Sequence, residues 1–144
     1  MRIPTKAHHL SNECEDVSSY ENGYRIGTKL VLTCLQPNYS NAIGLAHNQI
    51  GGNKKVYIVK GAKKWEIYIN PSIVAKSEGR YETTEGCMSY PNKPNKVIRH
   101  DWVVVRHLTI DGYVEEKFDE SNIAVHQHEN DHLSGLDIHH QTRS

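Results

Sequence analysis

Two stretches of the chain are predicted to be helices, the first from apolar positions at helical spacing and the second from the signals at its two ends. The first covers residues 23–36 and stops before Pro37, which cannot continue a helix. The second runs to about Leu133, with Gly135 placed to end it. Three polar residues are placed to cap its beginning: Asp119, Ser121 and Asn122.

Between the two helices, β-branched and aromatic residues gather in short runs separated by turn-forming residues. The runs cover residues 56–59, 65–69, 73–75, 102–110 and 113–118. Residues 85–96 lie outside these runs and are predicted to be a loop, and Asp111-Gly112 indicates a tight turn. Strands that follow one another before a helix favour the α+β class. We therefore predict antiparallel β-sheets packed around a central helix, in a single domain over residues 1–144.

Composition argues against several classes of partner. The formal net charge is zero and the pI is about 7.2, so the chain lacks the basic character typical of nucleic-acid-binding proteins. No run of about 18 apolar residues is present, so we expect no contact with a membrane interior. The cysteines are three in number and widely spaced, which argues against a disulfide framework and for the reducing cytoplasm.

The most informative segment is His128-Glu129-Asn130-Asp131-His132, an H-E-x-x-H pattern in the second predicted helix. Residues four apart lie on the same face of an α-helix, so the two imidazoles can bind one metal ion. Glu129 lies beside them, where a carboxylate can take a proton from metal-bound water and deliver it to a leaving nitrogen. The pattern predicts a metal-dependent amide hydrolase.

A catalytic metal site normally has three protein ligands and one open position, so this pair of histidines needs a third ligand. Cys87 is a candidate, because it lies between Gly86 and Met88 in a loop before Pro91. His126 falls off the ligand face, and we expect it to be solvated or to support the ligands from behind. Other candidates for the third ligand stay open: Glu85, Asp137, His139 and His140.

Three short segments of the chain stand in a fixed order. They read AIGLAHNQ over residues 42–49, EGCMS over residues 85–89 and QHENDHLSG over residues 127–135. They resemble the motifs GxGLAAxQ, EGCLS and QHExDHLxG of the peptide deformylases, which remove the formyl group from N-formylmethionyl peptides. Three motifs at matching spacing are far more specific than any one of them.

The resemblance implies the metal site and its chemistry. It assigns one divalent metal to Cys87, His128 and His132, natively Fe(II), for which nickel, cobalt or zinc can substitute. Water at the open position would attack the formyl carbonyl with Glu129 as general acid and base, and formate would be released.

The same resemblance assigns oxyanion donors and substrate contacts. The donors are the side-chain amide of Gln49 and the backbone N–H of Met88. The peptide main chain would pair with the strand edge around Gly44, and Glu85 with Arg99 resembles a pair that fixes the cysteine loop. The residues assigned to the substrate are Ile43, Gly44, Leu45, Glu85 and Val125.

The chain departs from the family pattern at Ala42, where glycine is usual, and at His47, where alanine is usual. We expect His47 to be a surface replacement or to alter the substrate range or pH profile, and Ala124 to leave extra room in the methionine pocket. The last residues, HHQTRS, cannot form the long C-terminal helix with which many members contact the ribosome. We therefore expect a monomer that does not dock by that route, similar to the short forms carried by bacteriophages.

Three other functions use the same residues. A zinc endopeptidase shares the H-E-x-x-H pattern, although such enzymes usually take a third His or Glu downstream of the helix. A hydrolase of the same fold that acts on another acylated amine stays open because of Ala42 and His47. A structural metal module would need a fourth protein ligand, for which neither Cys14 nor Cys34 is well placed.

Overall fold

All the strands lie between two α-helices in residues 8–141, the part of the chain that the computed structural model describes. The helices are α1 (Tyr20–Cys34) and α2 (Ile123–Leu133). The strands are β1 (Gly44–Ala46), β2 (Val56–Lys60), β3 (Trp65–Lys76), β4 (Arg80–Cys87), β5 (Tyr90–His100), β6 (Val103–Thr109) and β7 (Gly112–Phe118). Short 3-10 turns cover His8–Ser11, Pro37–Tyr39 and His47–Ile50. The predicted α+β class is confirmed, and the predicted domain limits, which include residues outside 8–141, stay a prediction.

Two antiparallel sheets enclose the second helix. The larger sheet has the strand order β1-β2-β3-β6-β7, and β4 pairs with β5 in a separate two-stranded sheet. Helix α2 contacts β1 and β2 of the larger sheet and β5 of the smaller one. The helix that carries H-E-x-x-H is therefore central, as predicted.

Helix α1 covers one face of the larger sheet. It begins after Ser19, whose hydroxyl accepts a hydrogen bond from the Asn22 N–H at 3.2 Å. Gly23 and Gly27 face β3 so closely that a Cβ on either would overlap isoleucine side chains of that strand. Leu30 is fully buried in the core between α1 and the sheet.

The extent of two predicted features is wrong. Residues 65–76 form one strand instead of two, and β-bulges shift its register with β6. Most of residues 85–96, predicted as a loop, lie in the β4–β5 hairpin. Residues 91–96 of β5 are all exposed, so the apolar alternation that predicts a strand is absent there.

The ends of α2 differ in how well the sequence predicts them. Asn122 precedes the helix, but its side chain makes no capping hydrogen bond. At the other end Gly135 has a φ of 81°, and its N–H bonds the carbonyl of His132 at 3.0 Å. Glycine is favoured where a helix ends in the left-handed conformation, so this predicted end is confirmed.

His126 lies in the core, which corrects the expectation that it is solvated or supports the ligands. Its ring is fully buried and stacks on Phe118 with 3.7 Å between the centroids. Burial lowers the pKa of His126 to about 3, so the ring is neutral. The Tyr57 hydroxyl accepts from Asn130 Nδ2 at 3.0 Å and lies within hydrogen-bond distance of His126 Nδ1, at 2.9 Å.

Replacing Tyr57 by phenylalanine is expected to lower the free energy of unfolding by about 1–3 kcal/mol, because buried His126 Nδ1 then loses its hydrogen-bond partner. Urea denaturation measures the change. Tyr24→Phe is the matched control, since Tyr24 is 52% exposed, and it should change stability by less than about 0.5 kcal/mol. Equal stability of the two variants would mean that the buried hydroxyl contributes nothing.

Within residues 8–141, neither helix is both long and apolar enough to cross a membrane.

Candidate active site

The second helix and the end of β4 bring three metal-binding side chains together. His128 and His132 are one helical turn apart, and their Nε2 atoms lie 3.2 Å from each other. Cys87 ends β4, and its Sγ lies 3.4 Å from His132 Nε2. One donor atom from each residue falls within 4.8 Å of the others. Of the candidates that the sequence left open for a third donor, Cys87 is the one that forms a compact cluster with both histidines.

A buried ion-pair network contacts the His128 ring of this cluster. Arg99 donates to both carboxylate oxygens of Glu85, at 2.9 and 2.6 Å, and to Asp131 at 2.6 Å. Glu85 Oε1 in turn lies 2.9 Å from His128 Nδ1. Burial alone would raise the pKa of Glu85, but the hydrogen bonds from Arg99 and His128 lower it to about 2. Glu85 is therefore ionised and fixes the orientation of the His128 ring.

Glu129 is buried next to the donor cluster, with only 2% of the residue exposed. Its Oε1 has no hydrogen-bond partner among the described residues. Burial raises the pKa of Glu129 to about 7, while neighbouring His128 opposes that rise. Gly44 makes room for this carboxylate, because a Cβ there would lie 2.6 Å from Glu129 Oε2 and 2.9 Å from a methyl of Val125.

Gln49 approaches the same cluster from the 3-10 turn that follows β1. Its Oε1 accepts the Ala46 N–H at 2.9 Å. Its Nε2 donates to Ser89 Oγ at 3.1 Å and lies 3.6 Å from Cys87 Sγ. Both ends of the amide are therefore held, and the N–H₂ group faces the cluster.

Several supporting residues carry no local signal in the sequence. Ser89 and Asp131 belong to the motifs, yet their partners Gln49 and Arg99 lie 40 and 32 residues away along the chain. Asn48 donates to the backbone carbonyl of His132 at 2.5 Å, across 84 residues. Only tertiary structure reveals these contacts.

A cleft of about 390 Å³ opens beside the cluster. Thr83 and Thr84, which the sequence did not single out, contribute to its wall, as do Ala42 and Ala124. The predicted site residues that line it are Ile43, Gly44, Gln49, Glu85, Cys87, Met88, Val125, His128 and Glu129.

Two sequence-based expectations need correction in detail. Leu45 is fully buried in the core and does not line the cleft, so the structure does not place it in contact with the predicted substrate path. His47 is half-buried and does not line the cleft, so it is not a surface replacement. Its ring instead lies over Gly52 on the far side of the turn.

The donor set fits a divalent metal. A thiol sulfur and two imidazole nitrogens are ligands that borderline metals such as iron, nickel and zinc accept. Burial lowers the pKa of His132, so its ring is neutral and able to coordinate. Burial disfavours the charged form of His128, but neighbouring Cys87 and Glu85 outweigh burial and raise its pKa, so these two residues favour a positive charge at this position.

Residues 3–144 match the family model described as polypeptide deformylase. The chain belongs to this family. The resemblance predicted from the three motifs is therefore confirmed.

Two bacterial relatives named peptide deformylase illustrate the relationship. The relative from Pseudothermotoga lettingae is 39% identical over 98 residues, which cover 67% of this chain and 57% of that protein. The relative from Synechocystis sp. is 33% identical over 147 residues, which cover 94% of this chain and 77% of that protein. The chain thus spans less than two thirds of the first relative's length.

The polypeptide deformylase fold is also found in a solved phage protein. The structure of PDF from the Vibrio parahaemolyticus bacteriophage VP16T, in complex with actinonin, matches this chain with a TM-score of 0.85. The two are 28% identical, and the match covers 96% of this chain and all of the phage chain.

Proposed function

We propose that this chain is a metal-dependent peptide deformylase, which hydrolyses the N-terminal formyl group of formylmethionyl peptides and releases formate. The observation that carries the proposal is the cluster of Cys87, His128 and His132 beside buried Glu129, in a chain of the polypeptide deformylase family. The cleft next to the cluster gives a blocked peptide terminus access to it.

The metal ligands in this proposal are Cys87, His128 and His132. When bound there, a divalent metal would supply the Lewis acidity that lowers the pKa of a water molecule and polarises the formyl carbonyl. Because a thiolate beside two imidazoles suits borderline ions, we propose Fe(II) as the native metal, with nickel, cobalt or zinc as substitutes.

Glu129 is the proposed general base and acid. With a pKa raised to about 7 by burial, its carboxylate can both accept and return a proton near neutral pH. It takes a proton from the attacking water as the oxygen bonds to the formyl carbon. It then gives that proton to the amine nitrogen as the carbon–nitrogen bond breaks, which yields formate and a free N-terminus.

Gln49 and the backbone N–H of Met88 are the proposed donors to the formyl oxygen. Negative charge develops on that oxygen, and donors fixed in advance stabilise it without reorganisation. The amide of Gln49 meets this requirement, because Ala46 and Ser89 hold its two ends.

The substrate would lie along the cleft. Strand β1 is the last strand of the larger sheet, so within residues 8–141 no other strand pairs with its outer edge, and we propose that the peptide main chain pairs there. We propose that Ile43, Ala124 and Val125 form the apolar part of the lining that receives the methionine side chain, to which Thr83 and Thr84 add polar groups.

A formate-release assay tests the proposal. Protein loaded with Fe(II) or Ni(II) without oxygen is expected to release formate from formyl-Met-Ala-Ser, and a chelator should abolish the reaction. The N-acetylated peptide is the control for the formyl group, and circular dichroism verifies folding. No formate from folded, loaded protein would overturn the proposal. Cleavage of internal bonds in an unblocked peptide would indicate a zinc endopeptidase instead.

We further propose that the chain acts as a monomer in the cytoplasm, where formylated peptides emerge from the ribosome. In a virus-encoded case this would be the cytoplasm of the bacterial host.

A further inference from the structure

The 3-10 turn His47–Ile50 carries the side chain proposed to stabilise the oxyanion. Gln49 reaches the cluster only because the turn directs its amide towards Ser89, and its Oε1 returns to the Ala46 N–H. A turn of four residues has few hydrogen bonds of its own. Its orientation must therefore be fixed by contacts outside it.

One such contact reaches the catalytic helix. Asn48 lies in the turn and is buried, and its Nδ2 donates to the carbonyl of His132 near the end of α2. This bond, together with packing between the turn and α2, fixes the side of the turn that faces α2.

The second contact comes from His47 on the opposite side. Its Nδ1 accepts the backbone N–H of Lys54 at 3.1 Å, and its carbonyl accepts the N–H of Gly52 at 2.9 Å. The ring lies so close to Gly52 that a Cβ there would overlap it. Burial, with the charges of Lys29 and Lys54, lowers the pKa of His47 to about 4. The ring is therefore neutral at pH 7, and Nδ1 is available as an acceptor.

The loop that His47 contacts is itself anchored. The N–H of Glu15 bonds the carbonyl of Asn53 at 2.8 Å, and the N–H of Lys55 bonds the carbonyl of Glu15 at 2.8 Å. Lys55 leads directly into β2, which is buried in the core. The imidazole thus connects the turn to a rigid part of the sheet.

We propose that His47 is a positioning residue: its imidazole fixes the His47–Ile50 turn between Lys54 and α2 and thereby sets the position of the Gln49 amide. This role is distinct from substrate contact, because His47 does not line the cleft. The effect on catalysis rests on the proposed function, in which Gln49 stabilises the oxyanion.

Three substitutions of His47 test the role. His47→Asn keeps an acceptor for the Lys54 N–H, because the asparagine Oδ1 takes the place of the histidine Nδ1. His47→Gln moves the acceptor oxygen one methylene group further from the backbone, and His47→Ala removes the acceptor. Misplacing a catalytic group by about 1 Å can cost about 100-fold in rate. We expect kcat to fall about 10- to 100-fold in the Ala and Gln variants, with KM within about twofold, because the donor acts on the transition state. His47→Asn should stay within about threefold of wild type. The same kcat in all three variants, whether unchanged or reduced, would overturn the proposal.

Gly52→Ala gives a second test that leaves His47 in place. The added Cβ displaces the ring, so kcat should fall as in His47→Ala, and adding it to His47→Ala should cause no further loss. Additive losses in the double variant would contradict the role. Gly52 is suitable because, unlike Gly51, it is not among the glycines with positive φ.

An NMR measurement separates this proposal from the proposed function. In isotopically labelled, zinc-loaded protein, the side-chain amide signals of Gln49 should shift and the Lys54 amide should exchange faster in His47→Ala but not in His47→Asn. If wild-type protein releases no formate, the proposed function fails, while this pattern would still support the positioning role. Unchanged Gln49 signals in His47→Ala would overturn it.

Discussion

Replacing Glu129 by glutamine is expected to lower kcat by about 10²- to 10⁴-fold while the metal content stays the same. Glutamine has the shape of glutamate, so it fits the space that Gly44 leaves. It has no basic oxygen at neutral pH and cannot take a proton from water. Its side chain is not part of the donor cluster, so the metal ligands are unaffected.

The measurement combines formate-release kinetics with metal analysis of the same samples. Glu115→Gln is the matched control, because Glu115 is exposed on β7 and the change in charge is identical. The melting temperature of metal-free Glu129→Gln should equal or exceed that of wild type, since a buried, unpartnered carboxylate oxygen is unfavourable. Turnover within tenfold of wild type would remove Glu129 from the role of general base.

Replacing Cys87 by serine should lower both metal content and turnover, each by more than about tenfold. A serine hydroxyl is not ionised at neutral pH and is a harder donor than a thiolate, so the site would keep only two strong ligands. The sulfur is also a neighbour of His132 and Gln49, so its loss changes the geometry around both. Metal per chain after anaerobic loading and dialysis against a weak chelator measures the first effect, and formate release measures the second.

Cys34→Ser distinguishes a loss of metal from a loss of stability. Cys34 is 4% exposed and packs in the core with Leu30 and Leu45. A hydroxyl there should lower the melting temperature without changing the metal content. If Cys87→Ser binds metal and turns over like wild type, Cys87 is not a ligand.

The elements that bury an apolar face are the ones the sequence predicts well. Helix α1 lies at residues 20–34 against a predicted 23–36, because its apolar stripe packs on the sheet. The β4–β5 hairpin escaped prediction because residues 91–96 are exposed, so nothing in the pattern separates this part of a strand from a loop. The β-bulges of β3 likewise depend on its pairing with β6, which no local pattern reports.

The candidate site divides in the same way. Helical geometry alone puts His128 next to His132, since residues four apart in sequence lie on the same face of a helix. The assignment of Cys87 to the same cluster depends on the family motifs, because a contact across 45 residues has no local signature. The places of His126 and His47 in the fold depend on tertiary contacts that no local pattern reports, because the ring of each lies within hydrogen-bond distance of a partner distant from the ligand cluster.

Two different parts of the fold form the wall of the cleft: β1 and α2, which pack in the core, and the separate β4–β5 sheet. Gly44 lies in β1 and Val125 lies in α2, next to the core, where a larger or smaller side chain would disturb its neighbours. Thr83 and Thr84 stand on a hairpin whose strands are mostly exposed. Apart from Glu85 and Cys87, which the hairpin supplies to the cluster, changes at Thr83 and Thr84 should therefore alter the wall of the cleft at little cost in folding, whereas changes at Gly44 and Val125 should not.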